Sequence, residues 1–221
     1  MTRPGTLVVV LGTATEVGKT WVGARTIEHL CAAGVSVAAR KPVQSFDPDD
    51  PSPTDAEELA SASGEAPSQV CPSHRSYPVA LAPPMATDVL GLEPPLIEDL
   101  VAELDWPSPA VTVGWAETVG GPRSPLAHEV DSVGFAAELQ PDLVVLVADA
   151  GLGTINATRL SAEALDLDDL DQLVVVLNRF DPDDDLHVRN LQWLRREGFT
   201  VATDPKQLAV LVMERISLGR P

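Results

Sequence analysis

The sequence predicts an α/β fold, a mostly parallel central sheet with helices on both faces, formed as one domain over residues 1–221. Three observations predict it. Short β-branched runs alternate with stretches of helical periodicity. Those runs are apolar on both faces, as strands covered by helices on both sides must be. The first of them, Thr6 to Leu11, stops at Gly12-Thr13-Ala14-Thr15-Glu16-Val17-Gly18-Lys19-Thr20 and feeds a helix-like stretch, the setting of a phosphate-binding loop. With 221 residues and 44% hydrophobic content, the chain can bury one good-sized core.

After the first strand, apolar residues at Trp21, Val22, Ala24, Ile27, Leu30 and Cys31 recur at helical spacing, and Gly34 is a stop signal. Val35 to Arg40 reads as a strand, Thr54 to Ser63 and Leu96 to Leu104 as helices, and Val111 to Trp115 as a strand. Strands at Leu143 to Ala148, Leu173 to Leu177 and Phe199 to Ala202 follow, with helices at Ser132 to Leu139, Ile155 to Leu165, Leu186 to Glu197 and Gln207 to Ile216. Prolines cluster at 42–53, 67–95 and 107–125, which predicts long loops there.

The loop carries the sharpest signal. A helix's first N–H groups lack partners within the helix, and its dipole favours an anion at that end. Lys19 is then placed for the β- and γ-phosphates of a nucleotide, and the Thr20 hydroxyl for Mg2+. Five residues separate Gly12 from Gly18, one more than the strict phosphate-loop spacing.

A formal charge of −18 argues against nucleic acid and against anionic membrane surfaces as partners. Polyphosphate binding must therefore be local, through Lys19, Lys41, backbone N–H groups and Mg2+. The excess acid sits largely at Asp47 to Asp50, Asp166 to Asp171 and Asp181 to Asp185, runs expected in solvated loops. No apolar run approaches the ~18 residues of a membrane span, no signal-peptide core precedes the first strand, and a cytoplasmic location is expected. The two cysteines, Cys31 and Cys71, match no metal or disulfide framework, and no two of the four histidines have ligand spacing.

In a parallel sheet, ligands bind beyond the carboxyl ends of the strands. Here those ends are polar: Lys41 with Pro42-Val43-Gln44-Ser45, Glu117 with Thr118-Val119-Gly120-Gly121, Asp149 with the second Gly-rich turn Gly151-Leu152-Gly153-Thr154-Ile155-Asn156, and Asn178. Five strand ends are predicted to converge on one crevice.

In that order of motifs the chain resembles dethiobiotin synthetase, an ATP-dependent ligase of biotin biosynthesis with a P-loop NTPase fold. The resemblance rests on the loop at 12–20, Lys-Pro-Val at 41–43, Asp55, Glu117 with Gly120-Gly121, Gly-Leu-Gly-Thr-Ile-Asn at 151–156, and Asn178. It implies a homodimer, with the active site at the subunit interface, that closes a urea ring on 7,8-diaminononanoate using CO2 and ATP. Lys41 is then the catalytic lysine, together with Lys19. Glu16, Val17, Gly18, Lys19, Thr20, Trp21, Asp55, Glu117, Gly120 and Asn178 would contact the nucleotide, Asn178 at the adenine edge. Thr20, Asp55 and Glu117 would hold Mg2+, the hard cation that suits their oxygens. Thr15 and Ser45 would touch the diamine or carbamate, and Gly153, Thr154 and Asn156 the substrate's tail carboxylate from the neighbouring subunit.

Plainer readings stand beside these roles. Thr54-Asp55-Ala56-Glu57 satisfies a capping box, a sufficient reason for that tetrad, and Asn178 is also a turn residue. Two departures from the family pattern matter. Glu-Gly-Ala-Gly-Gly is replaced by Glu117-Thr118-Val119-Gly120-Gly121, whose branched residues resist positive φ and predict a shifted loop. The segment that usually holds adenine reads Thr203-Asp204-Pro205-Lys206, with an added acid. The alternative function is a regulatory or partitioning-type P-loop ATPase, or a catalytically altered family member acting by protein binding. The signature lysine of the partitioning class aligns with Ala14, and the basic amphipathic tail of that class is missing.

Overall fold

A computed structural model describes residues 3–167 and 170–219. In chain order the elements are β1 (Thr6–Gly12), α1 (Lys19–Ala32), β2 (Val37–Arg40), β3 (Gln44–Ser45), α2 (Asp55–Ser63), α3 (Pro67–Val70), β4 (Ser76–Tyr77), α4 (Pro83–Leu90) and α5 (Ile97–Ala102). Then come β5 (Val113–Glu117), α6 (Ser132–Leu139), β6 (Leu143–Asp149), α7 (Thr154–Leu165), β7 (Leu173–Asn178), α8 (Asp185–Arg196), β8 (Thr200–Ala202) and α9 (Pro205–Leu218). The large sheet has the order β2-β5-β1-β6-β7-β8, with every neighbouring pair parallel, so the carboxyl ends of its strands share one edge.

Alternation along the strands divides the core into two layers. Val8, Val10, Trp115 and Val145 pack beneath Ile27 of α1, Leu59 of α2 and Leu208 of α9. Leu7, Val9, Leu11 and Leu146 face the other way, against Leu100 of α5, Phe135 of α6 and Leu194 of α8. The expected helix-covered parallel sheet is therefore present. No helix among the described residues is long and apolar enough to cross a membrane.

Three expectations need correction. The first helix begins at Lys19 rather than Trp21, because Gly18 at φ 89° is its N-cap and brings Lys19 and Thr20 into the first turn. The strand expected at Val111–Trp115 runs over Val113–Glu117, which makes Glu117 a strand residue paired in register with Val10. The proline-rich stretch 67–95 is not one long loop. Pro67 and Pro83 are the first residues of α3 and α4, where an amide proton has no helical partner to lose.

Asp47, Asp49, Asp50 and Asp181 to Asp185 are exposed, as expected of the acidic runs, and so are Asp166 and Asp171. Asp168 and Asp169 of the third run lie outside the described residues. Cys71 is buried, which pushes its thiol up to about 12, whereas Cys31 is exposed on α1.

Candidate functional site

The phosphate loop is braced from the end of β7. Glu16 and Gly18 take positive φ, 60° and 89°, on either side of the buried Val17. Asn178 Nδ2 donates to the Val17 carbonyl at 2.9 Å, and that amide occupies the space a Cβ on Gly18 would fill. Next to it, Arg179 Nη2 donates to the Glu16 carbonyl at 3.1 Å while Nη1 pairs with Asp149 Oδ2 at 3.2 Å. The loop's shape is thus held by residues from two other strand ends. Its open N–H groups at the start of α1 form an anion site.

Beneath the loop lies a cluster of charge. Lys41 is 1% exposed; its Nζ donates to Glu117 Oε1 at 2.7 Å and to the Thr118 carbonyl at 3.2 Å, and pairs with Asp55 Oδ2 at 2.7 Å. Burial alone would lower the Lys41 pKa, but the Asp55 and Glu117 carboxylates reverse that and raise it above the ordinary lysine value. Lys41 is therefore a fixed cation. Lys19 moves the other way: burial and the like charge of Lys41 pull it down, and Glu117 and Asp55 oppose that without cancelling it. On Asp55, burial acts upward, yet the charge and hydrogen bond of Lys41, the Thr20 hydroxyl and Lys19 hold its carboxyl below the usual range.

The donor set fits Mg2+. Thr20 Oγ1 lies 2.7 Å from Asp55 Oδ1 and 2.9 Å from Glu117 Oε1, and one hydroxyl proton cannot serve both carboxylates. Glu117 Oε2 is buried with no hydrogen-bond partner. The orphaned Glu117 Oε2, with Asp55 Oδ1 and the Thr20 hydroxyl beside it, offers hard oxygens of the kind a small divalent cation takes.

The loop after β5 packs backbone to backbone on the phosphate loop. Positive φ falls on Gly120, at 52°, where a Cβ would also overlap the Ser124 hydroxyl. Thr118 and Val119 do not take positive φ. Thr118 N and Oγ1 instead both donate to the Val10 carbonyl, at 2.9 and 3.1 Å, extending the strand pairing by one residue. An open groove of about 550 Å³ runs from Thr13, Ala14 and Thr15 past Gly121 to Ser124, with Asn156 and Leu160 of α7 as its far wall. Gly153 caps α7 at φ 92°, and Thr154 is buried with its hydroxyl unpartnered. Asn190 Nδ2 holds this second turn by donating to the Ala150 and Gly151 carbonyls, at 2.9 and 3.0 Å. Ser45 Oγ is likewise buried without a partner, and Trp21 is half-exposed in the first turn of α1.

Known proteins match the sequence along most of the chain. A family described as an AAA domain matches residues 6–204. The ATP-dependent dethiobiotin synthetase of Haloferax mediterranei is 40% identical over 176 residues, covering 78% of this chain and 71% of that protein. That of Anaeromyxobacter dehalogenans is 38% identical over 180 residues, covering 80% and 78%, and that of Caulobacter vibrioides 35% over 191 residues, covering 78% and 86%. The chain belongs to the dethiobiotin synthetase family. At the level of fold alone, the signal recognition particle receptor FtsY from Elizabethkingia anophelis aligns with a TM-score of 0.55 at 12% identity, covering 97% of this chain and 66% of that one.

In this dethiobiotin synthetase family member, most of the residues marked from sequence fall into three groups, and Trp21, Ser45, Gly153 and Thr154 lie outside them. Lys19, Thr20, Lys41, Asp55 and Glu117 form the charged cluster. Thr15 and Asn156 both line the groove, and Gly120 lies against the Thr15 hydroxyl. Glu16, Val17, Gly18 and Asn178 form the braced loop. Arg179 and Asn190 were not marked from sequence and Gln44 stood out only by its place in the polar run after Lys41, because their partners are brought together only by folding. The Arg179 position carried one signal, its place directly after a strand-ending Asn. The Thr203–Lys206 segment is a helix start, Asp204 accepting from Gln207 N at 2.9 Å with Pro205 as the first residue of α9.

Proposed function

We propose that this chain, as one catalytic domain over residues 1–221, is an ATP-dependent dethiobiotin synthetase that joins CO2 to 7,8-diaminononanoate and closes the urea ring. The observation that carries this reading is Lys41, buried and held between Asp55 and Glu117 at the foot of the phosphate loop. A carbamate and a γ-phosphate are both anions, and bringing them within attack distance calls for fixed cations on either side.

In the proposed sequence, one substrate amine adds to the carbon of CO2 and loses a proton, giving a carbamate. A carbamate oxygen then attacks the γ-phosphorus while the bond to the β-phosphate oxygen breaks, releasing ADP. The second amine attacks the anhydride carbon, loses its proton and expels phosphate. Lys19 and Lys41 supply the cations between the two anions, Lys41 by exchanging one of its contacts with Asp55 or Glu117 for a substrate oxygen, and stabilise charge moving onto the bridging oxygens. Thr20, Asp55 and Glu117 would hold Mg2+, which when bound neutralises β- and γ-phosphate charge. Asn178 and Arg179 keep the loop shaped around the triphosphate through Val17 and Glu16, with Asn178 also meeting the adenine edge. Thr15 and Ser45 orient the diamine end.

The tail carboxylate of the substrate would sit at Gly153, Thr154 and Asn156, where the unpartnered Thr154 hydroxyl and the N-terminus of α7 favour an anion. A homodimer with the site at its interface suits the same region, because Leu152 in the turn before α7 is 92% exposed and Leu160 in the groove wall 57% exposed. The location proposed is the cytoplasm.

The test is an incubation with ATP, Mg2+, bicarbonate and 7,8-diaminononanoate. Phosphate release that depends on the diamine, with dethiobiotin formed, supports the ligase; ATP turnover indifferent to the diamine overturns it.

A further inference from the structure

Between the strand that delivers Lys41 and the helix that delivers Asp55 lies a buried amide, Gln44, 5% exposed. Its Oε1 accepts from Ala56 N at 2.9 Å and its Nε2 donates to Ser76 Oγ at 2.8 Å. Both ends of the amide are therefore used. Ser76 is also the backbone partner of Gln44 across the β3–β4 pair, so side chain and backbone tie the same two residues together. Lys41 N in turn donates to the Val70 carbonyl at 2.7 Å, fixing the start of the same segment.

Asp55 sits at the first position of α2, directly before Ala56. The capping box satisfies that helix start from within: Glu57 N donates to Thr54 Oγ1, and Thr54 N donates to Glu57 Oε2 at 2.8 Å. Those bonds stop the first turn from fraying, but they connect only residues of the tetrad and leave its place relative to Lys41 undetermined. The Ala56 N–H is an orphan of the first turn, and Gln44 takes it. That bond, together with the packing of Ala56, Leu59 and Ala60 into the core, ties the tetrad to the lysine-bearing segment.

We propose that Gln44 is a positioning residue for the Asp55 carboxylate, setting it where it meets both Lys41 Nζ and the Thr20 hydroxyl and where it would serve as a Mg2+ ligand. This rests on the reading of Asp55 as part of the metal shell. Outer partners of this kind govern metal affinity through the geometry of the ligands they hold.

Two variants and two readouts test it on the full chain. One readout is Mn2+ binding, followed by the electron paramagnetic resonance signal of the free ion in the presence of a non-hydrolysable ATP analogue. The other is amide exchange across residues 54–57. Gln44→Ala is expected to weaken Mn2+ binding about ten-fold and to speed exchange at the start of α2, while metal-free affinity for the analogue stays within about two-fold. Gln44→Met, which keeps most of the volume and loses both hydrogen bonds, is expected to match Gln44→Ala in both readouts, so that the loss belongs to the bond to Ala56 N rather than to a cavity.

Should Gln44→Ala not fold, Ser76→Ala replaces it, with an expected loss of about three-fold in Mn2+ affinity from a loosened amide. Mn2+ affinity within about two-fold of wild type in Gln44→Ala, or in Gln44→Met, overturns the proposal. Neither readout contains diamine or CO2. Failure to make dethiobiotin therefore counts against the substrate reading alone, whereas a wild-type chain that binds no Mn2+ overturns the role of Gln44 together with the metal shell.

Discussion

Lys41 Nζ and Glu117 Oε1 form an ion pair at 2.7 Å in which the lysine is 1% and the glutamate 0% exposed. Removing one member of such a pair strands the other in the interior, which costs about 3–5 kcal/mol. Lys41→Met is therefore expected to lower the thermal midpoint by about 10 °C and to cut turnover about 1,000-fold, with the sheet intact by circular dichroism. Turnover near wild type would remove Lys41 from the mechanism. The raised pKa also fixes a pH prediction: the lysine's share of the stabilisation is complete below its unfolded value of 10.5 and is lost as pH climbs above that, while the share carried by Asp55, whose carboxyl is held low, is lost only in acid. No limb of the rate profile near neutral pH should move when Lys41 is replaced by Arg.

Lys19 predicts the opposite trade. Its folded state holds the proton less tightly than the unfolded chain does, so stability rises with pH in the window below 10.5. Lys19→Met removes a like charge from beside Lys41 and should raise the ligand-free midpoint by about 3 °C at pH 7 while lowering turnover by about 100-fold or more. The gap in midpoint between variant and wild type should narrow as pH rises toward that window's upper end. A variant less stable than wild type in the absence of nucleotide would show that Lys19 is not strained by its neighbours.

The local features of the site were legible in the sequence because their causes are local. Gly18-Lys19-Thr20 follows a strand and opens a helix, and Thr54 and Glu57 cap each other within one turn. Lys41 and Glu117 were found by looking past strand ends, a rule of topology rather than of neighbouring residues. The Gln44 bond to Ala56 was not legible, since an amide has no periodicity and its partner is set by how α2 meets β3. Arg179 failed for the same reason: its contact with Glu16 spans most of the chain. The helices at Pro67 and Pro83 were hidden because proline marks both loops and first helical positions.

Asn178 separates support of the loop from reading of the base. Its amide nitrogen already serves the Val17 carbonyl, a bond worth about 1 kcal/mol net. Asn178→Ala should therefore weaken ATP binding about five-fold through the loop alone. If the adenine contact is also made, the variant loses preference for ATP over GTP as well. Titration of both triphosphates by calorimetry checks this, and equal losses for the two would leave Asn178 only the brace of the loop.

Thr118 tests whether the branched residues after Glu117 are a handicap or a fit. Its hydroxyl and amide both donate to the Val10 carbonyl, and the side chain is fully buried against the sheet. A glycine there loses one hydrogen bond, a buried methyl group and backbone rigidity, together about 2–3 kcal/mol. It relieves no backbone strain, because the positive φ of this loop belongs to Gly120. Thr118→Gly should thus lower the urea midpoint clearly while kcat changes by less than about two-fold, since the Glu117 carboxylate is held by Lys41 rather than by the Thr118 side chain. A tenfold rise in kcat would mean that Thr118 keeps Glu117 from its working position, and that the Lys41 pair alone does not set the carboxylate.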